Sequence, residues 1–127
     1  MTHPLIDRLT SEFGYPVLNT THDLTEYTRG EGVHCVFITG DPVRNLETPD
    51  VAVVLPELKM TFQGAFDCAV VATEFEDAAK EAAGVFKTPA LVFYREGVVL
   101  GSIPKVRDWD DYMSRIPQIL ALHPEGA

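Results

Sequence analysis

Residues 33–38, Val33-His34-Cys35-Val36-Phe37-Ile38, are almost continuously apolar and rich in β-branched side chains, the pattern of a strand buried on both faces. A second run of this kind, Phe66-Asp67-Cys68-Ala69-Val70-Val71-Ala72, predicts another buried strand. Ala90-Leu91-Val92-Phe93-Tyr94 and Val98-Val99-Leu100 flank Arg95-Glu96-Gly97, which predicts an antiparallel hairpin with glycine supplying positive φ at the turn. A shorter β candidate is Tyr15-Pro16-Val17-Leu18-Asn19.

Between these runs the apolar spacing changes to that of helices. Leu5, Ile6, Leu9 and Phe13 predict a first helix over residues 4–13, with Pro4 in a first turn that needs no amide donor and Gly14 as its stop. Thr20 or Thr21 caps a helix through Leu24 and Tyr27 that ends at Arg29-Gly30-Glu31-Gly32. Thr73 is placed to cap a helix whose Phe75, Ala78, Ala79, Ala82, Ala83 and Phe86 share one face, with Gly84 loosening its last turn. Asp108 caps the last helix, where Trp109, Tyr112, Met113, Ile116, Ile119 and Leu120 form a stripe that Pro117 is expected to kink or shorten. Residues 40–50 read as a loop, with two prolines and no apolar period. The next run, Val51-Ala52-Val53-Val54-Leu55-Pro56-Glu57-Leu58-Lys59, is ambiguous: its β-branched content favours a strand, its length and context a helix.

Helices and strands therefore alternate and end in a hairpin. The expected fold is α/β: a central mixed β-sheet flanked by helices, with an extra N-terminal helix. The 127 residues fit one domain, residues 1–127, with 122–127 as a loose tail.

Charge narrows the partners. Ten basic against nineteen acidic residues give a formal charge of −9, which repels phosphate backbones and anionic headgroups. Nucleic acid and membrane insertion are not expected; a basic peptide is attracted. No run approaches ~18 consecutive apolar residues. Met1-Thr2-His3-Pro4-Leu5-Ile6-Asp7 lacks the basic and apolar regions of a signal peptide, so the cytoplasm is the expected location.

Candidate chemistry is sparse. The two cysteines, Cys35 and Cys68, lack C-x-x-C spacing and lie within apolar strands, where a thiol is inaccessible and its pKa is raised. The four histidines, His3, His22, His34 and His123, show no ligand spacing, and His34 reads as a satisfied strand residue. There is no G-x-G-x-x-G, no P-loop lysine and no G-x-S-x-G elbow, so neither a metal nor a cofactor is expected.

Gly84-Val85-Phe86-Lys87-Thr88-Pro89-Ala90-Leu91-Val92-Phe93-Tyr94-Arg95-Glu96-Gly97 resembles the helix, cis-proline, strand and hairpin of the thioredoxin family, with Pro89 at the cis-proline. Pro56 matches that family's helix proline. Counting back from it places Thr48-Pro49-Asp50-Val51 where the redox dithiol would stand, so both reactive cysteines are absent. Among redox-inactive thioredoxin-like proteins, the chain is most similar to the hydrogenase expression and synthesis accessory family called HyaE or HupG. The likeness spans nearly all of it, including Pro49-Asp50, Leu55-Pro56-Glu57-Leu58, Gly84-Val85-Phe86 and Trp109.

That resemblance implies a cytoplasmic, non-catalytic chaperone in [NiFe] hydrogenase maturation. Its partner would be the hydrogenase small-subunit precursor with its twin-arginine signal peptide, and beyond it other hydrogenase accessory proteins. Paired guanidinium groups call for carboxylates beside a peptide groove. Asp41, Glu47, Asp50 and Glu57 lie on or beside the loop that replaces the dithiol, and Thr88 and Pro89 neighbour it in thioredoxins. The alternative for these carboxylates is a solvated face with Asp50 as helix N-cap. Two other functions compete: a divergent thiol-disulfide oxidoreductase using Cys35 or Cys68 alone, and a permanent adaptor subunit of a larger complex.

Overall fold

The computed structural model describes residues 3–41 and 43–123; residues 124–127, most of the expected tail, lie outside it. Five strands form one sheet in the order β1-β3-β2-β4-β5: β1 (Val17–Leu18), β2 (Val33–Ile38), β3 (Phe66–Val71), β4 (Ala90–Arg95) and β5 (Val98–Pro104). β1, β3 and β2 run parallel, while β4 and β5 pair antiparallel, as a thioredoxin-like fold requires.

Alternate side chains along the central strands feed two separate cores. Val33, Cys35 and Phe37 join Phe66, Cys68, Leu91 and Phe93 beneath α1 (Pro4–Ser11), α3 (Thr48–Thr61) and α5 (Trp109–Leu120). Val36, Ile38, Ala69, Val92 and Tyr94 pack on the other face with Leu24 of α2 (Thr21–Thr28) and Ala79 of α4 (Glu76–Ala83). Helices on both faces explain the unbroken apolar runs, since neither side of a central strand meets water.

The ambiguous run around Val51 is helical. Val51, Ala52, Leu55 and Leu58 are buried while Val53, Glu57 and Met60 are exposed, a spacing that only a helical period produces. The helix starts at Thr48, inside the expected loop, and Pro49 fits its first turn, where no amide donor is needed. Asp50 is accordingly not the N-cap: it lies within that turn, where a carboxylate still meets the helix dipole favourably.

Several local expectations give way to tertiary packing. Thr73 opens a 3₁₀ turn, Thr73–Phe75, with no side-chain cap. Ala78 and Ala82 are exposed, and Phe86 lies past the end of α4, 89% exposed, because Gly84 (φ 70°) terminates the helix in the left-handed region. Phe13 likewise lies beyond α1, near Tyr15 (ring centroids 5.9 Å apart) with Arg8 over its face at 5.0 Å. Asp108 precedes α5 without a side-chain cap, and Pro117 leaves α5 unshortened to Leu120. The hairpin turn uses positive φ at Glu96 as well as at Gly97.

His34 is buried and satisfied. Its Nδ1 lies 2.7 Å from Asp67 Oδ1 and its Nε2 3.0 Å from the Gly30 carbonyl, and the Tyr27 hydroxyl donates to the same Asp67 oxygen at 2.6 Å. Burial, with that hydrogen bond second, pushes the Tyr27 hydroxyl's pKa up.

Candidate functional site

Three segments meet at one end of the sheet: the β2–α3 loop, the stretch before β4, and the β5–α5 loop. β2 is followed by Thr39, whose hydroxyl donates to Glu76 Oε1 at 2.9 Å and whose carbonyl accepts the fully buried Thr48 hydroxyl at 2.6 Å. Gly40 follows at φ 74°, so close to the second segment that a Cβ there would lie 2.5 Å from Thr88 Oγ1 and 2.7 Å from Asn45 Nδ2. The Asp41 carbonyl accepts the Asn45 amide at 2.7 Å, and its carboxylate accepts the Val43 N–H at 2.9 Å. Thr88 donates to Asn45 Oδ1 at 3.2 Å, and the Thr88–Pro89 peptide bond is cis, as the thioredoxin resemblance implies.

Glu47 ties in the third segment. Its Oε1 accepts the Val106 N–H at 2.9 Å, and its Oε2 lies 3.8 Å from Lys105 Nζ. The Lys105 N–H in turn donates to the Pro89 carbonyl at 2.6 Å, with Lys105 itself in the left-handed region at φ 65°. A non-glycine residue held there stores strain that only surrounding contacts can hold.

The expected site residues therefore divide by role. Asp41, Glu47, Thr88 and Pro89 are bonded into the scaffold that joins the three segments. Asp50 and Glu57 stay exposed on α3, and there they share a face with the exposed Val53 and Met60. Glu57, Met60 and Thr61 border a shallow groove whose other wall is Trp109. Val53, Met60 and Trp109 were not legible as surface groups: the α3 run was ambiguous between strand and helix, and Trp109 read as part of a packing stripe.

Cys35 and Cys68 are register partners on β2 and β3, 0% and 2% exposed. Burial, then hydrogen bonding with Cys68, pushes the Cys35 thiol well above its ordinary pKa. Native protein at pH 8 is therefore expected to leave both thiols unmodified by an aromatic disulfide reagent, and denatured protein to titrate two. A thiol that reacts in the native state at the rate of a free one would reopen the oxidoreductase reading. Among the described residues no group of three or more His, Cys, Asp and Glu could hold a metal, and no helix is long and apolar enough to cross a membrane.

Residues 5–112 match the family model described as hydrogenase-1 expression protein HyaE. A hydrogenase expression/formation protein HupG from Rhodobacter capsulatus is 58% identical over 120 residues, covering 94% of this chain and 87% of that one. A crystal structure of a hydrogenase expression/formation protein HupG from Rhodopseudomonas palustris superposes with TM-score 0.55 at 34% identity, covering 84% of this chain and 95% of that one. Plasmodium falciparum thioredoxin superposes with TM-score 0.66 at 10% identity, covering 84% and 99%, a likeness of fold alone.

Proposed function

From the premise that this chain belongs to the hydrogenase-1 expression protein HyaE family, we propose that it is a non-catalytic accessory chaperone of hydrogenase formation. It binds the small-subunit precursor of a [NiFe] hydrogenase through its twin-arginine signal peptide, in the cytoplasm before export. The observation that carries this reading is the outer face of α3, where Asp50, Val53, Glu57 and Met60 alternate acid and apolar beside Trp109. A twin-arginine signal offers the complement: two guanidinium groups next to an apolar stretch. Arginine meets carboxylates through planar, charge-assisted bonds that lysine cannot reproduce. Asp41, Glu47, Thr88 and Pro89 hold the neighbouring loop in place and act as positioning residues.

Calorimetric titration with a hydrogenase small-subunit signal peptide tests this. Binding is expected to weaken at least tenfold when both arginines become lysine. An equal loss is expected for the Asp50→Asn, Glu57→Gln double variant, and affinity should fall as salt rises, because exposed charge contacts are screened beyond about 8 to 10 Å. If neither peptide binds, signal-peptide recognition is wrong and the mature subunit becomes the candidate. Affinity indifferent to salt and to the arginines would place recognition in an apolar groove.

A further inference from the structure

The segments that meet at Pro89 carry charge opposite in sign to the chain as a whole. Of ten basic residues in a protein of net charge −9, Arg44 lies on the β2–α3 loop, Lys87 just before Thr88, and Lys105 and Arg107 on the β5–α5 loop. The bonds from Thr88 to Asn45, Lys105 to Pro89 and Val106 to Glu47 bring these positions to a common rim. Two of the three carboxylates on these segments are committed: Asp41 caps the Val43 N–H, and Glu47 accepts from Val106 while lying 3.8 Å from Lys105, which leaves four basic side chains against Asp108, exposed at the end of the β5–α5 loop. Arg107 Nε donates to the Pro104 carbonyl. Among the described residues, neither Arg44 nor Lys87 has a carboxylate within ion-pair distance.

The same segments expose large apolar side chains: Phe86 at 89%, Val43 at 83% and Leu46 at 79%. Single exposed apolar residues are common, but three on two adjoining segments, bordered by cations, have the composition of a protein-binding patch. Its sign selects the occupant. Screening confines attraction to within about 8 Å at physiological salt, so a docked segment answers to the local cations rather than to the net charge. A basic segment is repelled here and drawn to α3.

We propose that this rim is a second docking site, for an extended protein segment in which carboxylate side chains flank a short apolar run. The proposal rests on the reading that the chain binds a protein partner, and it adds a contact of opposite polarity to the one on α3.

The test is a titration of the isotopically labelled full chain, followed by amide NMR, with the blocked peptide Glu-Glu-Leu-Val-Leu-Glu-Glu and its counterpart with lysine at every glutamate. The acidic peptide is expected to shift the amides of Arg44, Leu46, Phe86, Lys87 and Lys105 and to bind at least tenfold tighter there than the lysine peptide. The double variant Arg44→Glu, Lys87→Glu, altered at two exposed positions, is expected to weaken it at least tenfold while leaving the remaining spectrum in place. No binding at millimolar peptide, shifts that map elsewhere, or affinity unmoved by the charge reversal would overturn the proposal. The signal peptide titrated against the same variant separates the two readings: its binding through Asp50 and Glu57 is expected to survive, and its own failure would count against α3 alone.

Discussion

Gly40→Ala is expected to cost about 2 to 5 kcal/mol, the sum of roughly 1 to 2 for a side chain in the left-handed region and roughly 1 to 3 for overpacking. The added methyl would lie 2.9 Å from Thr88 Cβ as well as against Thr88 Oγ1 and Asn45 Nδ2. Asn45 can swing its amide aside, but Thr88 is β-branched, is anchored to Pro89, and cannot. The strain therefore falls on the junction between the β2–α3 loop and the Pro89 segment. Thermal unfolding is the measurement: at roughly 4 °C per kcal/mol, Tm should fall by roughly 8 to 20 °C. A fall below about 3 °C would mean that the segments part easily, and the rigid junction inferred for the site would be wrong.

Phe93→Ala is expected to cost about 3 to 5 kcal/mol, because it leaves a cavity in the core cluster beneath the sheet. Phe93 is fully buried on β4 and meets Phe66 edge to face, ring centroids 5.3 Å apart, with Phe62 in turn 6.2 Å from Phe66. The edge-to-face contact accounts for roughly 0.5 to 1.5 kcal/mol of favourable interaction beyond the area it buries. Denaturant unfolding would measure the loss. Peptide affinity, taken well below the midpoint, is expected to stay unchanged, since Phe93 touches neither the α3 face nor the rim. A loss under about 1.5 kcal/mol would show that the core closes over the gap. The two variants thus separate a change that distorts the junction from one that lowers stability alone.

Much of the architecture could be read from residue types. Period-free apolar runs marked Val33–Ile38 and Phe66–Val71 because helices cover both faces of those strands. The hairpin and the cis-proline at Pro89 announced themselves through turn chemistry and a local motif. What escaped was decided by distant neighbours. Glu47 reads as a free acid, yet its partner Val106 is far along the chain and is reached only once β4 and β5 have folded back. Phe86 continues the apolar spacing of α4 on paper, but Gly84 ends the helix before it. The acid-and-apolar face of α3 emerges only when helix is chosen over strand, which the valine-rich run could not decide by itself.

Thr48 and Val51, the positions that correspond to the vanished dithiol, are 0% and 1% exposed. The hydroxyl of Thr48 and its amide are both spoken for, by the carbonyls of Thr39 and Asn45. Restoring two cysteines there would set both sulfurs in the interior, out of reach of any external thiol or disulfide. A redox dithiol at these positions would therefore require rebuilding the loop as well as changing two residues.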